Sequence, residues 1–308
     1  IAIAPAITIA SLTFSGAATG FTITSAVANN FGAINHASTG ANAINSVIQG
    51  AGSVTVNDGT LTLGSALNTY TGTTTINQGI LSVADVSVTG GASSIGNAPT
   101  AVVLGSATTV GTLRYTGAAD TMTRGITLGS LAANATGSTI NLASNVDLTV
   151  SGVIAGGPAN AAGNTTLTVN GIGRLVPTGA NTFTGNVVVD GARLSVNSEA
   201  RLGATIVGQN KTVTIQNAAT MFVVTASLNP GNNTTTSDKR LVVGTGGGTV
   251  DVAAGLTYTM DDAGQATFTG QLTKTGTGTM MLGQGSFTGA GGVVLNNGIL
   301  RVNATSTV

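Results

Sequence analysis

The sequence predicts an all-β chain wound as a parallel β-solenoid. Three observations lead there: a composition of strand and turn formers, short segments of period-2 alternation, and one segment written three times. The chain has 308 residues, enough for a sizeable core or for two domains.

The composition comes first. Charged residues are 6% of the chain, against roughly 25% in an average soluble domain. There are 46 Gly and 5 Pro, aromatics are 3%, and Trp and Cys are absent. Thr, Asn and Ser supply most of the polarity, and Val, Ile and Leu most of the bulk. A disordered chain would be rich in charge and poor in β-branched residues. Val, Ile and Thr suit a pleated surface, while Gly, Asn and Asp supply turn conformations. No segment carries apolar residues at helical spacing between caps, so long helices are not expected.

The strands come next, in chain order. Val54-Thr55-Val56, Leu61-Thr62-Leu63, Leu81-Ser82-Val83, Leu167-Thr168-Val169 and Leu194-Ser195-Val196 each alternate. One side of such a strand faces a core and the other turns Thr or Ser to water. The repeated segments span residues 47–83, 153–196 and 268–302. Each holds an aromatic-Thr-Gly triplet, then a Val/Ile strand, then Gly and a last strand ending in Val. The triplets are Tyr70-Thr71-Gly72, Phe183-Thr184-Gly185 and Phe287-Thr288-Gly289. Repetition with short, evenly spaced strands is the mark of a solenoid. Coils of about 20 to 24 residues, at the short end of repeat periods, give roughly 13 coils and about five coils between triplets. At about 4.8 Å per coil the rod is roughly 60 Å long. Stacking also accounts for the missing charge. Like charges in register repel, whereas Asn and Thr can hydrogen-bond along the ladder.

The strings "GTLTLGSALNTYTGTTTINQGILSV" and "KTGTGTMML" resemble the autotransporter-associated β-strand repeat of bacterial autotransporter passengers. The resemblance implies a right-handed parallel β-helix on the bacterial outer surface. It implies a structural repeat without catalytic residues to transfer. No C-terminal membrane barrel is evident, so the chain is expected to be a piece of an autotransporter or another secreted user of the repeat.

Net charge is zero, and Asp58 is the first fixed charge. A basic stripe for nucleic acid and a polybasic membrane patch are both absent. Thr, Ser, Asn and Gly interrupt every apolar run before about 18 residues, and ten aromatics are too few for the girdles of a membrane barrel. Without Cys there are no disulfides or thiolate metal sites. The start at Ile1, without Met or a charged leader, fits a chain whose signal peptide has been removed.

Some β-helices cleave polysaccharides, and such chemistry needs two placed carboxylates. The chain has nine Asp and one Glu, Glu199. Asp261 and Asp262 are adjacent, but on a strand they would face opposite sides, and Ala-Gly after them suggests a turn. Lys239 and Arg240 after Asp238 read as a solvated loop before a strand. His36, the sole histidine, lies among turn formers and reads as a surface residue. No G-x-S-x-G elbow is present. Gly244 to Val252 reads as a flexible Gly-rich corner, since no helix pattern follows it. The N-x-[ST] triplets at Asn134, Asn164, Asn210, Asn232, Asn233 and Asn303 arise by chance in so Asn- and Thr-rich a chain. No cofactor or metal is expected.

The ends carry the remaining expectations. A solenoid needs caps against edge pairing, and neither end reads as one. Ile1, Ile3, Ile7 and Ile9 share one side of an extended strand, and Leu12 and Phe14 continue the apolar run. Residues 1–14 are therefore read as an N-terminal strand ahead of one solenoid domain at 15–308. That strand either folds back along its own solenoid or adds to a neighbouring subunit, with Leu300 and Val302 at the other end. The reading is a non-enzymatic extracellular structural or adhesive bacterial surface protein, self-associating head-to-tail into a filament. Copies of itself are its expected partners, together with a host or neighbouring-cell surface. Nucleic acid binding and membrane insertion are not expected. The alternatives are a fragment of a passenger adhesin and, on the same fold, a polysaccharide lyase or hydrolase.

Overall fold

The computed structural model describes residues 2–3, 7–88, 90–129, 137–156, 166–205, 211–229, 239–260, 266–283, 285–286, 291–302 and 306–307. They form a parallel β-solenoid. A long sheet stacks twelve parallel strands, from Ala2–Ile3 and Thr22–Ser25 through Thr60–Leu63, Gly79–Val83 and Gly111–Tyr115 to Lys239–Val243 and Ala266–Phe268. A seven-stranded sheet runs from Leu12–Gly16 to Ile154–Gly156, and an eight-stranded sheet from Asp120–Met122 to Val293–Leu295. Three smaller parallel sheets complete the walls. Among the described residues one short 3-10 turn, Glu199–Leu202, is the sole helical element.

Period-2 alternation sets the register. In the long sheet the inward ladder runs Leu61, Leu81, Leu113, Ile140, Val169, Val189, Ile215, Val243 and Phe268. All nine are buried. Each buried Leu, Val or Ile contributes about 1.5 to 3 kcal/mol, so the ladder is the main support of the fold. The adjacent outward row runs Thr60, Ile80, Thr112, Thr139, Thr168, Val188, Thr214, Val242 and Thr267.

The coils are less even than expected. Register partners in the long sheet lie from 19 residues apart (Ala41 to Thr60) to 32 (Gly79 to Gly111). Residues inserted at the corners cause the spread, because extra chain can leave the wall between strands without breaking the ladder. The repeats therefore do not sit directly above one another. The strand after the first triplet, Thr74–Ile76, belongs to the seven-stranded sheet. The equivalent Val187–Asp190 lies in the long sheet and Val293–Leu295 in the eight-stranded one. Each repeat begins on a different sheet. Four turns and one face separate the first two, rather than five even coils.

Asn side chains carry hydrogen bonds from coil to coil, as the scarcity of charge suggested. Asn57 Nδ2 donates to Asn35 Oδ1 at 2.7 Å, and Asn77 Nδ2 to Asn57 Oδ1 at 2.9 Å. Asn141 donates likewise to Asn170.

Residues 2–3 and 7–16 belong to the same solenoid. Ala2–Ile3 pairs in parallel with Thr22–Ser25, Thr8–Ile9 with Asn29–Phe31, and Leu12–Gly16 with Ala33–Ser38. Ile7, Ile9 and Leu12 are half-buried against the core, and Phe14 is buried. Ile1 and the side chain of Ile3 lie outside the described residues. At the far end Leu300 packs on the core while Val302 is exposed.

Candidate functional site: the charged face of the eight-stranded sheet

The repeat motif has its own local chemistry. Asn68 and Asn181, two residues before the triplet aromatic, are buried at corners. Asn68 Oδ1 accepts the Ile48 amide at 2.9 Å, and its Nδ2 donates to the Ser94 carbonyl at 3.0 Å. Asn181 does the same between Ile154 N at 2.8 Å and Arg201 O at 2.9 Å. Each carboxamide thus ties the coil below to the coil above. Tyr70 and Phe183 are fully buried. The Tyr70 hydroxyl meets Thr74 Oγ1 at 3.0 Å, and burial pushes its pKa up to about 12. At Gly72 a Cβ would come within 2.1 Å of the Gly52 carbonyl, which is why the triplet ends in Gly. The third triplet, at 287–289, lies outside the described residues.

Two expectations about single residues are corrected. His36 is buried, not on the surface. It follows Ile34 at period 2 and shares an inward row with Phe14, Val56 and Ile76. Asn42 Oδ1 accepts the Phe21 amide, so its Nδ2 donates to Ala18 O and to His36 Nε2 at 3.1 Å. That network assigns the proton to Nδ1, which donates to Asp58 O at 2.8 Å. The ring tilts against Phe14. Lys239 and Arg240 open a strand rather than fill a loop, because Lys239 pairs in register with the inward Lys211.

Lys211 is buried at the inward position of an alternating strand. Its Nζ donates to Phe183 O at 3.2 Å and lies 3.7 Å from the centre of the Phe183 ring. Burial, with Lys239 on the next rung, pushes its amine well below the usual range. Lys239 Nζ donates to Glu199 O at 3.1 Å, and the Glu199 carboxylate accepts the Asn229 amide at 3.1 Å. Gly244 to Gly247 form a corner as expected, but Gly248–Val252 is a strand. Asp238, Asp261, Asp262 and the Asn of all six N-x-[ST] triplets lie outside the described residues. No group of three or more His, Asp or Glu converges among the described residues.

Sequence order hides one cluster that the coils bring together. Asp147, Arg174 and Arg193 occupy one outward row of the eight-stranded sheet, continued by Thr220, Thr249 and Thr273. The next row holds Phe222, Asp251 and Thr275, in register with the buried Ser195. Arg174 forks onto Asp147, with Nε donating to Oδ1 at 2.9 Å and Nη2 to Oδ2. It is the one ion pair among the described residues. The hydrogen bond from Arg174 holds the Asp147 carboxyl below its usual range, and Asp147 raises the guanidinium in turn. The Arg174 guanidinium also lies 5.5 Å over the half-buried Phe222 ring. Arg193 donates to Asn145 Oδ1 and to Ile172 O. Thr275 Oγ1 donates to Asp251 at 2.8 Å. The arrangement offers planar donors, carboxylate acceptors and an aromatic edge on one solvent face.

A family model described as the passenger-associated-transport-repeat matches residues 56–83, 167–196 and 272–302. These stretches end at the same residues as the three repeats. In these three stretches the chain is similar to the repeat of autotransporter passengers. Over 279 residues this passenger-like protein is 34% identical to a Brucella suis biovar 1 (strain 1330) protein described as "Adhesin BmaC autotransporter". The alignment covers 87% of the passenger-like chain and 7% of that adhesin. No solved structure matches it.

Proposed function

We propose that this stretch of passenger-like solenoid is a non-enzymatic part of a bacterial cell-surface adhesin. In this reading the rod sets distance and the eight-stranded face makes contact with a host or neighbouring-cell surface. The observation that carries it is the cluster of Asp147, Arg174, Arg193 and Phe222 on an otherwise sparsely charged exterior. The Brucella relative is described as an adhesin, which supports adhesion as the class of function. Coated beads carrying the protein should bind cultured cells, and Arg174→Met with Arg193→Met should abolish binding without lowering the melting temperature. Equal binding by the double variant would remove this face from the account. Incubation with acidic and neutral polysaccharides should release neither reducing ends nor unsaturated products. Reproducible turnover would restore the enzyme reading.

A further inference from the structure

The sequence has two Asn-Gly pairs, Asn170-Gly171 and Asn297-Gly298, and the fold treats them differently. Asn170-Gly171 is locked into a wall. Both residues belong to the strand Leu167–Gly171, in register with Asn141 and Leu142. The Asn170 Oδ1 accepts Asn141 Nδ2 at 2.7 Å, so its carboxamide is held by the coil ladder.

Asn297-Gly298 sits at a corner, between the strands Val293–Leu295 and Ile299–Val302. The Asn297 side chain is exposed. Its Oδ1 accepts the Gly298 amide at 2.7 Å. That hydrogen bond holds the backbone nitrogen of Gly298 against the carboxamide. Gly298 has φ +79° and carries no Cβ of its own, although its Cα packs close to the Gly276 and Gly278 carbonyls. The buried ammonium of Lys274 lies beside the same turn, donating to Gly276 O at 2.9 Å and to Asn297 O at 3.3 Å. A positive charge there favours loss of the neighbouring amide proton and stabilises a carboxylate that forms next to it.

We infer that Asn297 is a site of spontaneous deamidation, and that the fold protects Asn170 from the same reaction. The Gly298 nitrogen, after giving its proton to solvent, attacks Asn297 Cγ. The new C–N bond closes a succinimide, and the side-chain nitrogen leaves as ammonia. Water then adds to either ring carbonyl and opens it to aspartate or isoaspartate. The net change is Asn plus water to an acid plus ammonia, with no oxidant or cofactor. The product places a carboxylate on a corner close to Lys274. In its isoaspartyl form it also adds a backbone carbon just before Ile299–Val302, the strand that pairs with Thr279–Leu282.

The test uses the whole folded chain at neutral pH and body temperature, sampled over weeks by peptide mass mapping. The peptide holding Asn297 should gain the amide-to-acid mass difference and split into aspartyl and isoaspartyl forms. Asn297 should convert at least about tenfold faster than Asn170, the ratio set by one hydrogen bond of about 1.4 kcal/mol that Asn170 must first give up. Asn297→Gln should remove the signal, since its longer side chain does not close a five-membered ring. Denatured chain supplies the control in which the two sites convert at similar rates. Conversion of Asn297 no faster than Asn170 in the folded chain, or no conversion at all, overturns the inference.

Discussion

The seven-stranded and eight-stranded sheets are built alike within and differ outside. Inward, Val54, Val102, Ile126 and Ile154 serve one as Leu148, Leu175, Leu194 and Met221 serve the other, and all are buried. Outward, the first presents Thr13, Asn35, Thr55, Thr75, Val103, Thr127 and Ala155 in one register row, without a charge. The second presents Asp147, Arg174, Arg193 and Phe222. The ladder constrains what points in and leaves what points out nearly free. Function can therefore be written on one wall of a solenoid without disturbing its core.

The comparison breaks if the two inner ladders are not equivalent. Ile126→Ala and Leu175→Ala should each cost about 2 to 5 kcal/mol, read as equal falls in denaturant midpoint. A difference of more than about 2 kcal/mol between them would exceed ordinary site variation and argue that one wall carries the fold. Next come the corner carboxamides. Asn68→Ala leaves the Ile48 amide and the Ser94 carbonyl without their partner, and should cost about 1 to 3 kcal/mol. Asn181→Ala, at the corner leading back into the long sheet, should cost the same.

The corner between Lys211–Gln216 and Ala219–Val223 should respond in the opposite direction. Asn217 and Ala218 there have φ +53° and +61°, a conformation that disfavours a Cβ. Ala218→Gly should stabilise by about 0.5 to 1 kcal/mol, relief of strain exceeding the added chain entropy. The smallest effect belongs to the outer wall. Arg174→Met removes a surface ion pair worth about 1 kcal/mol or less, so thermal unfolding should shift little while adhesion falls. A large fall in stability would make the cluster structural instead.

Lys211 gives a pH-dependent test of the inner wall. Its folded pKa is depressed by burial, so the penalty is complete below that folded value. It is relieved as pH climbs from there towards the unfolded value of 10.5. The wild-type protein should gain stability across that window from this group. Lys211→Met should flatten the gain and should not destabilise strongly at neutral pH.

Much of the architecture was legible because a solenoid is local. Alternation at Leu61-Thr62-Leu63 or Leu167-Thr168-Val169 states which side faces in, and the triplet marks a corner. The buried His36 was legible too, two residues after Ile34 in the run Ala33–Ser38. Turn-forming neighbours outweighed the alternation and gave a surface reading. The inward Lys211 carries no signal of its own in the sequence, since a Lys heading an apolar alternation looks like a strand end. The charged face could not be read at all. Asp147, Arg174, Arg193 and Phe222 are spread over four coils of unequal length. Their meeting depends on the corner insertions, and local pattern does not count those.

The change of sheet from one repeat to the next bears on the mechanics of the rod. Corners built on Asn68 and Asn181 lead into different walls, the seven-stranded and the long sheet. Had the repeats stacked in line, their tight corners would have formed a seam along one side, stiff against bending in one plane and compliant in another. Spread around the circumference, they distribute bending resistance over several planes. A rod with its tight corners on different walls has less preference for bending in one plane.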